Sequence, residues 1–588
     1  MLRLSELKLP LDHGEEALQE AVLKRLRIPA DRLLGQTLVK RSVDARRRDR
    51  IQLIYSVDVQ VKGEAALLRR IGNKARVRPA PDTRYRPVGQ APDGFPLDAG
   101  DRPVVVGAGP CGYFAALLLA QMGFRPLLLE RGQAVKQRTA DTFGFWRGNS
   151  PFNPESNAQF GEGGAGTFSD GKLYSQVSDP EHYGHKVLEE LVACGASEEI
   201  LTLHRPHIGT FKLATVVRGL RARIEALGGE VRFNSRVTRL QLSDSSGEKP
   251  HQLDGVVLAD GTEIPCRHLV LAPGHSARDC FEMLQEIGVQ LQRKPFSVGV
   301  RIEHPQHLID AARWGEAAGH PRLGAAEYKL VHHAENGRCV YSFCMCPGGF
   351  VVGATSEEGR VVTNGMSQHS RNERNANSGL VVALDADDLA PFERFPGDPL
   401  AGIGLQRHLE ERAFRLGGSS YAAPAQRLED FLASRPSTRL GAIAASYQPG
   451  VHPADLAELL PAPIIEALRE ALPAFARKLK GYDHADAVLT GVETRTSSPV
   501  RIPRDEALES LNVKGTGAGG EGAGYAGGIL SAGIDGIRAA EALAIQILGS
   551  QTQAPLIFSC SWGLAPRCHS TARLSPDPVA RSGTARVH

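Results

Sequence analysis

The chain has 588 residues, 42% hydrophobic and 23% charged, and its 69 Lys and Arg stand against 66 Asp and Glu. That length exceeds what one core supports and implies about two to four domains, while the near-balance of charge argues neither for nor against an acidic partner. The opening MLRLSELKLP lacks the apolar stretch of a secretory signal, and no apolar run approaches the ~18–20 residues of a membrane helix, so the expected setting is cytoplasmic and away from membranes.

Residues 1–90 alternate strand-like and helix-like patterns: LRLSELKL, EEALQEAVLKRL, QTLVKRS, IQLIYSVDVQV, EAALLRRIG and KARVRPA. The order βαββαβ predicts a small ferredoxin-like α+β domain. Between its middle strands VDARRRDR carries Arg46, Arg47, Arg48 and Arg50. A solvated turn is the simpler reading, and a grip on nucleic acid or another acidic partner is the alternative. The Pro- and Gly-rich segment 91–102 reads as a linker.

Residues 103–130 read PVVVGAGPCGYFAALLLAQMGFRPLLLE. A buried parallel strand, Val104–Val106, leads into a G-x-G-x-x-G turn of Gly107, Gly109, Pro110 and Gly112. A helix follows, then a second strand ending at Glu130. Gly107 makes the tight turn and Gly109 admits a pyrophosphate to the backbone. Gly112 lets the helix lie on the sheet with its first amides toward the phosphates. Glu130 is placed to accept hydrogen bonds from ribose hydroxyls. These parts arrive in the order that marks a dinucleotide site, without deciding between NAD and FAD.

Further on, Gly166–Lys172 satisfies G-x-x-x-x-G-K, but Leu173 stands where a nucleotide triphosphatase needs Ser or Thr for Mg²⁺, and no apolar strand precedes it. That excludes a P-loop. Nine cysteines at irregular spacing form no disulfide framework. Cys344 and Cys346 in CMC share one face of a predicted strand, which permits a metal or redox role. With no second Cys/His pair nearby, packed reduced thiols are the reading and no metal is expected.

Later motifs narrow the dinucleotide. GGEVRFNSRVTRLQL contains Val237, LDGVVLADGTEIPCRHLVLAPG gives a hairpin and a strand ending in Ala272-Pro273-Gly274, and GEGAGYAGG runs into a helix marked by Ile529, Leu530, Ile534 and Ile537. On these features the chain resembles the two-dinucleotide-binding-domain flavoproteins of the glutathione reductase and phenol hydroxylase type. Over about residues 1–550 it resembles, more narrowly, one bacterial family of predicted FAD-dependent dehydrogenases with no assigned reaction. The stretches that carry this are FGFWRGNSPFNPESNAQFGEGGAGTFSDGKLYSQV, HIGTFKL, GHSARD, KPFSVGVRIEH, YSFCMCPGGF and TSEEGRVVTNGMSQHSRNERNANS.

The resemblance implies FAD on a Rossmann-like α/β domain. It sets the Ala272 and Gly274 backbone near the cofactor and Val237 near the adenine. The loop of Gly163, Gly164, Ala165, Gly166 and Thr167 would face the pyrophosphate or the isoalloxazine, with Arg131 and Arg138 meeting phosphate charge; a solvated surface role is the alternative for Arg138. Glu521 would bind the ribitol or a flavin phosphate, with Gly520, Gly522, Gly527, Gly528 and Ile529 crowding the cofactor at the helix start. The chain departs from the pattern with Ala-Pro-Gly for Ala-Thr-Gly, glutamate for aspartate at 521, and Thr516–Gly519 where a segment like Leu-Tyr-Pro-Ala is usual.

The expected layout is an FAD-binding domain from 103–290 and 490–550, a substrate-side α+β domain over 291–489, and a disordered tail over 551–588. A site between the two domains is expected. Lys172, Glu493 and Arg495 are the catalytic candidates, against an ion-paired structural network as the alternative; His275, His332 and His333 read as satisfying core or loop hydrogen bonds. With no second G-x-G-x-x-G between 180 and 490, NAD(P)H would enter the cleft only transiently. The expected function is an FAD-dependent oxidoreductase of a small molecule. A flavin enzyme acting on RNA and a non-enzymatic redox sensor stand as alternatives, and the oligomeric state is not set by the sequence.

Overall fold

A computed structural model of the chain describes residues 1–71, 76–243 and 251–551. The expected tail lies outside the described residues from 552 onward. The first unit runs strand Leu2–Pro10, helix Ala17–Leu26, strands Leu33–Asp44 and Gln52–Val61, helix Glu64–Ile71 and strand Val77–Pro79. Its sheet is antiparallel, with Leu2–Pro10 between Gln52–Val61 and Val77–Pro79. In Leu2–Pro10 the buried side chains are Leu2 and Leu4, then Leu7 and Leu9. Alternation of period two cannot take Leu4 and Leu7 to one face, and the pairing shifts register there, with Glu6 in a left-handed conformation at φ 56°.

The arginine turn rests on the rest of the molecule. Ile51 and Ala45 join the large C-terminal core, Arg46 pairs with Asp44 and Arg47 with Asp49. Segment 91–102 is pinned as well: Phe95 is buried edge-on against Phe124 at 5.2 Å, and Arg267 holds Asp98 and Asp101.

The second unit is a sheet whose parallel strands run His251–Leu258, Val513–Ala518, Leu269–Leu271, Val104–Val106, Leu127–Leu129 and Glu230–Arg232, with antiparallel strands added on His251–Leu258. Helices Pro110–Gln121 and Ile529–Gln551 cross over this sheet in contact. They meet closely because Gly536 stands where a side chain would strike the Cys111 carbonyl. The glycine-rich Gly515–Ala518 lies in an interior strand of this sheet, Val513–Ala518, paired on both sides.

The third unit is a sheet of order Val331–His333, Cys339–Gly353, Asn375–Ala383, Ser297–Pro305, Val488–Glu493, Ala423–Arg427 and Val451–Pro453. Helix Ala462–Lys478 packs on it through Ile464, Leu468 and Phe475. The boundary expected at 489/490 falls inside strand Val488–Glu493, which pairs with Ser297–Pro305. All six of its residues are buried, so both faces are covered and no alternation marks it as a strand. QRLEDFLAS is divided for a similar reason: Gln426 and Arg427 end a largely buried strand and the helix begins at Leu428.

Candidate cleft between the two sheets

A cleft of about 270 Å³ opens where the parallel strands end, the place at which open α/β sheets collect ligands. One wall comes from the residues just past Val106, Leu129, Leu271 and Ala518; the far end is closed by Phe343, Cys344, Asn364 and Thr496 from the third unit.

The G-x-G-x-x-G turn sits at the near end. Gly107 has φ 101°, and a Cβ there would lie 2.3 Å from the Ala272 carbonyl oxygen; a Cβ on Gly112 would lie 1.8 Å from the carbonyl oxygen of Gly107. No side chain fits at either position without moving the turn. Glu130 fastens it: Oε2 accepts from Ala108 N–H at 2.8 Å, and Oε1 accepts from Gly132 and Gly161 N–H, both at 2.9 Å. The carboxylate thus binds the first turn to the loop at 161, and Oε2 keeps capacity for another donor.

Most of the residues picked out by sequence converge here. Gly107, Gly109, Pro110, Glu130, Arg131, Gly164, Ala165, Gly166, Val237, Ala272, Gly274, Gly520, Glu521, Gly528 and Ile529 line the cleft, and so do Lys172 and Arg495. Arg131 is already engaged, at 2.9 Å from Glu155 and 2.8 Å from Asp279, and lies over the Phe160 ring.

Gly112, Arg138, Gly163, Thr167, Gly522, Gly527 and Glu493 stand outside the lining. Gly163 and Thr167 pack on each other, and Gly522 packs on the Gly274 backbone; the Gly527 N–H donates to Ser531 at 3.2 Å. Arg138 is neither solvated nor turned to the cleft. It is wholly buried, and its guanidinium donates to the carbonyls of Asn157, Ala158, Gly161, Glu162 and Gly164 at 2.7–3.2 Å. Burial pulls it down to about 10, still cationic at neutral pH. Its role is to shape the loop, because every acceptor it reaches is backbone. Glu493 spends its oxygens on Arg301, at 3.0 and 3.1 Å, and on Thr363.

Two further acids hold the cleft, and nothing in the motif pattern singled them out. Glu162, fully buried, accepts from Tyr113 Oη at 2.9 Å and Val135 N–H at 2.6 Å. Asp535 accepts the Gly520 N–H at 2.7 Å and pairs with Arg504. The available signal was an acid inside an otherwise apolar or glycine pattern, in GEGG and GIDG. Glu521 lies 3.0 Å from His275 Nδ1, and neither ring nitrogen of His275 makes a hydrogen bond of good geometry.

The far end is ionic. Arg495 pairs with Glu410 at 3.0 Å and donates to Ser276 Oγ at 2.7 Å; Arg278 pairs with Glu410 at 2.7 Å. Burial alone would raise the Glu410 carboxyl, but Arg278 and Arg495 outweigh it and hold it at about 2. Lys172 donates to the Met345 carbonyl. Burial would lower its ammonium, yet Glu327 and Asp170 prevail and raise it, so this cleft residue stays a cation. Among the described residues no group of three His, Cys, Asp or Glu side chains is arranged to hold a metal, and no helix is long and apolar enough to cross a membrane.

Residues 295–496 match a family described as "FAD-dependent protein, C-terminal domain-like", and residues 1–60 match "Domain of unknown function (DUF8436)". An uncharacterized protein of Clostridium beijerinckii is 45% identical over 547 residues, covering 92% of this chain and 98% of its own. Among solved structures, E. coli quinol fumarate reductase FrdA aligns at 13% identity and TM-score 0.34 over 77% of this chain and 72% of that one. Glycine oxidase from Geobacillus kaustophilus aligns at 12% and 0.32 over 76% and 94%. At such scores neither likeness bears on the reaction.

Proposed function

The chain belongs to one family with the Clostridium beijerinckii protein, and on that premise we propose that it is an FAD-dependent oxidoreductase of a small molecule. The carrying observation is the single cleft that starts at the Gly107 turn and ends among Lys172, Cys344 and Arg495. Its residues suit the cofactor. Gly107, Gly109, Gly164 and Gly166 line the cleft with their backbone packed too closely on Ala272, on each other or on Ile529 for larger side chains at Gly107, Gly164 and Gly166, Glu130 Oε2 retains capacity to accept, and Glu521 beside His275 stands at the glycine-rich entry to helix Ile529–Gln551. In this reading these residues hold FAD, and residues 1–90 form a ferredoxin-like domain.

Bound FAD supplies the two-electron chemistry. The chain's own part is to orient substrate and to keep water out of the far end. Lys172, a cation in a largely dry setting, attracts an anionic or carbonyl group. Arg495, held by Glu410 and two serine hydroxyls, offers a fixed donor array. Glu493 acts behind them by keeping Arg301 in place.

The test is anaerobic reduction of the purified chain, followed by the visible absorbance of oxidised flavin. Bleaching by NAD(P)H or by one member of a metabolite panel supports the enzyme. A chain purified without flavin that takes up none on incubation refutes the reading; bound flavin that no metabolite reduces points to a redox sensor instead.

A further inference from the structure

We propose that Cys344 and Cys346 form a thiol–disulfide exchange site at the far end of the cleft, taking a small disulfide as substrate. The inference deepens the proposed function and rests on it only for the electron pair that resets the site. Both cysteines lie on strand Cys339–Gly353. Cys344 lines the cleft beside Lys172 and Asn364, whereas Cys346 is fully buried, its Sγ 3.4 Å from the Cys344 carbonyl oxygen.

The strand is bulged at this point. Opposite Asn375–Ala383 the pairing passes from Phe343 with Gly379 to Cys346 with Asn377, three residue steps against two. Two steps of a strand cover ~6.8 Å, so three are compressed into that length. A pair two steps apart on a strand shortened in this way suits the Cα span that a disulfide bridges, ~4.4–6.8 Å. Cys344 itself has φ 44°, a left-handed conformation that is costly for a residue with a side chain and concentrates at functional sites.

The surroundings favour a thiolate at Cys344 and a ligand next to it. Arg301, wholly buried, donates to the Cys344 carbonyl at 3.2 Å and to Asn377 Oδ1 at 2.8 Å. Asn377 stands opposite Cys346 in the register, is itself fully buried, and its Nδ2 has no partner. An unused donor of that kind is what a sulfur anion or a bound acceptor group takes up. The neighbouring Cys346 thiol, with Arg301 and Lys172, holds the Cys344 thiol below the ordinary range against burial and Glu493; the same pairing and burial push Cys346 up. Burial instead raises the thiols of Cys111, Cys194, Cys266 and Cys280. One accessible thiolate with a buried thiol behind it is the division of labour that exchange requires.

The step balances without another oxidant. The Cys344 thiolate attacks one sulfur of R–S–S–R, that bond breaks, RS⁻ leaves and a mixed disulfide forms. The Cys346 thiol gives its proton to RS⁻ and attacks Cys344 Sγ, closing Cys344–S–S–Cys346 and releasing a second RS⁻. The pair has lost two electrons and the substrate has become RS⁻ and RSH. Reset takes two electrons and one proton, for which a reduced flavin is the donor class.

The full chain, with flavin content read from its visible absorbance, is mixed at pH 6 with 5,5′-dithiobis(2-nitrobenzoate) and mapped by peptide mass. The expected result is two chromophores released per reagent consumed at this strand and a Cys344–Cys346 link. C346S should release one and keep the reagent's other half on Cys344; C344S should react at this strand at least about ten-fold more slowly. An unmodified Cys344, or a mixed adduct that persists in the parent chain, overturns the proposal. If flavin is bound and the pair stays inert, this inference falls and the oxidoreductase reading stands. A chain that takes up no flavin on incubation and still forms the link upholds the exchange site and overturns the cofactor reading.

Discussion

Replacing Arg138 separates two roles that a buried arginine near a dinucleotide loop can have. Five carbonyl oxygens of residues 157–164 accept from its guanidinium. Arg138→Met leaves all five without that donor, and a buried acceptor left unpaired costs about 1–3 kcal/mol. Relaxation and water recover part of the sum, so the expected loss is about 3–5 kcal/mol, the range for removing one partner of a buried charged cluster. Arg138→Lys keeps the charge but offers three donors, and about half of that loss should return. The assay is amide hydrogen exchange over residues 157–168 in flavin-free protein. Exchange should accelerate by roughly two to three orders of magnitude in the Met variant, since each 1.4 kcal/mol is about tenfold. If exchange in the flavin-free Met variant equals that of the parent while flavin affinity drops, Arg138 meets phosphate and the loop-shaping argument is wrong.

The same geometry sets other outcomes. Glu521→Ala should lose flavin on purification while its thermal midpoint stays near that of the flavin-free parent; a variant with full flavin absorbance refutes the assignment of Glu521. Gly112→Val should yield insoluble or flavin-free protein, because its Cβ falls 1.8 Å from the Gly107 carbonyl oxygen, whereas Gly14→Ala, whose Cβ meets nothing within 4 Å, should behave as the parent. Glu410 titrates at about 2 in the folded chain and near ~4.3 unfolded. The folded value is the depressed one, so its contribution is complete above pH ~4.3 and is lost as pH falls toward ~2. Thermal midpoints taken from pH 5 to 2.5 should drop in the parent and drop less in Glu410→Gln, which at pH 7 is already weakened by about 3–5 kcal/mol because Arg495 loses its carboxylate partner. Equal slopes for the two would contradict the assignment.

What the sequence made legible was local. The Gly107 turn could be read because its constraint lies within six residues of chain: one glycine must turn and another must lie under it. The break in LRLSELKLP was not read from the sequence, where the segment is simply strand-like; it shows only in the register shift between Leu4 and Leu7. Strand Val488–Glu493 was not legible, because burial on both faces erases alternation. Gly515–Ala518 hid as a strand behind glycines, which carry no β-branched signature.

The site residues that were missed or misplaced share one cause. Arg138 answers to backbone carbonyls some 20 residues away, and Glu410 to Arg278 and Arg495, which lie 132 and 85 residues distant. A charge in a sequence shows that a partner is needed once it is buried but does not say which one. The CMC motif is the instructive case. Alternation expected both sulfurs on one face of a regular strand, whereas the strand is bulged at Cys344, and packed thiols were the economical reading with no second Cys/His pair nearby. It takes the sheet register to bring Arg301 and Asn377 beneath the bulge and the loop at 170 to bring Lys172 over it. Cys346 with Arg301 and Lys172 draws the cleft-lining Cys344 thiol below the ordinary range, and no spacing within YSFCMCPGGF encodes the two cations.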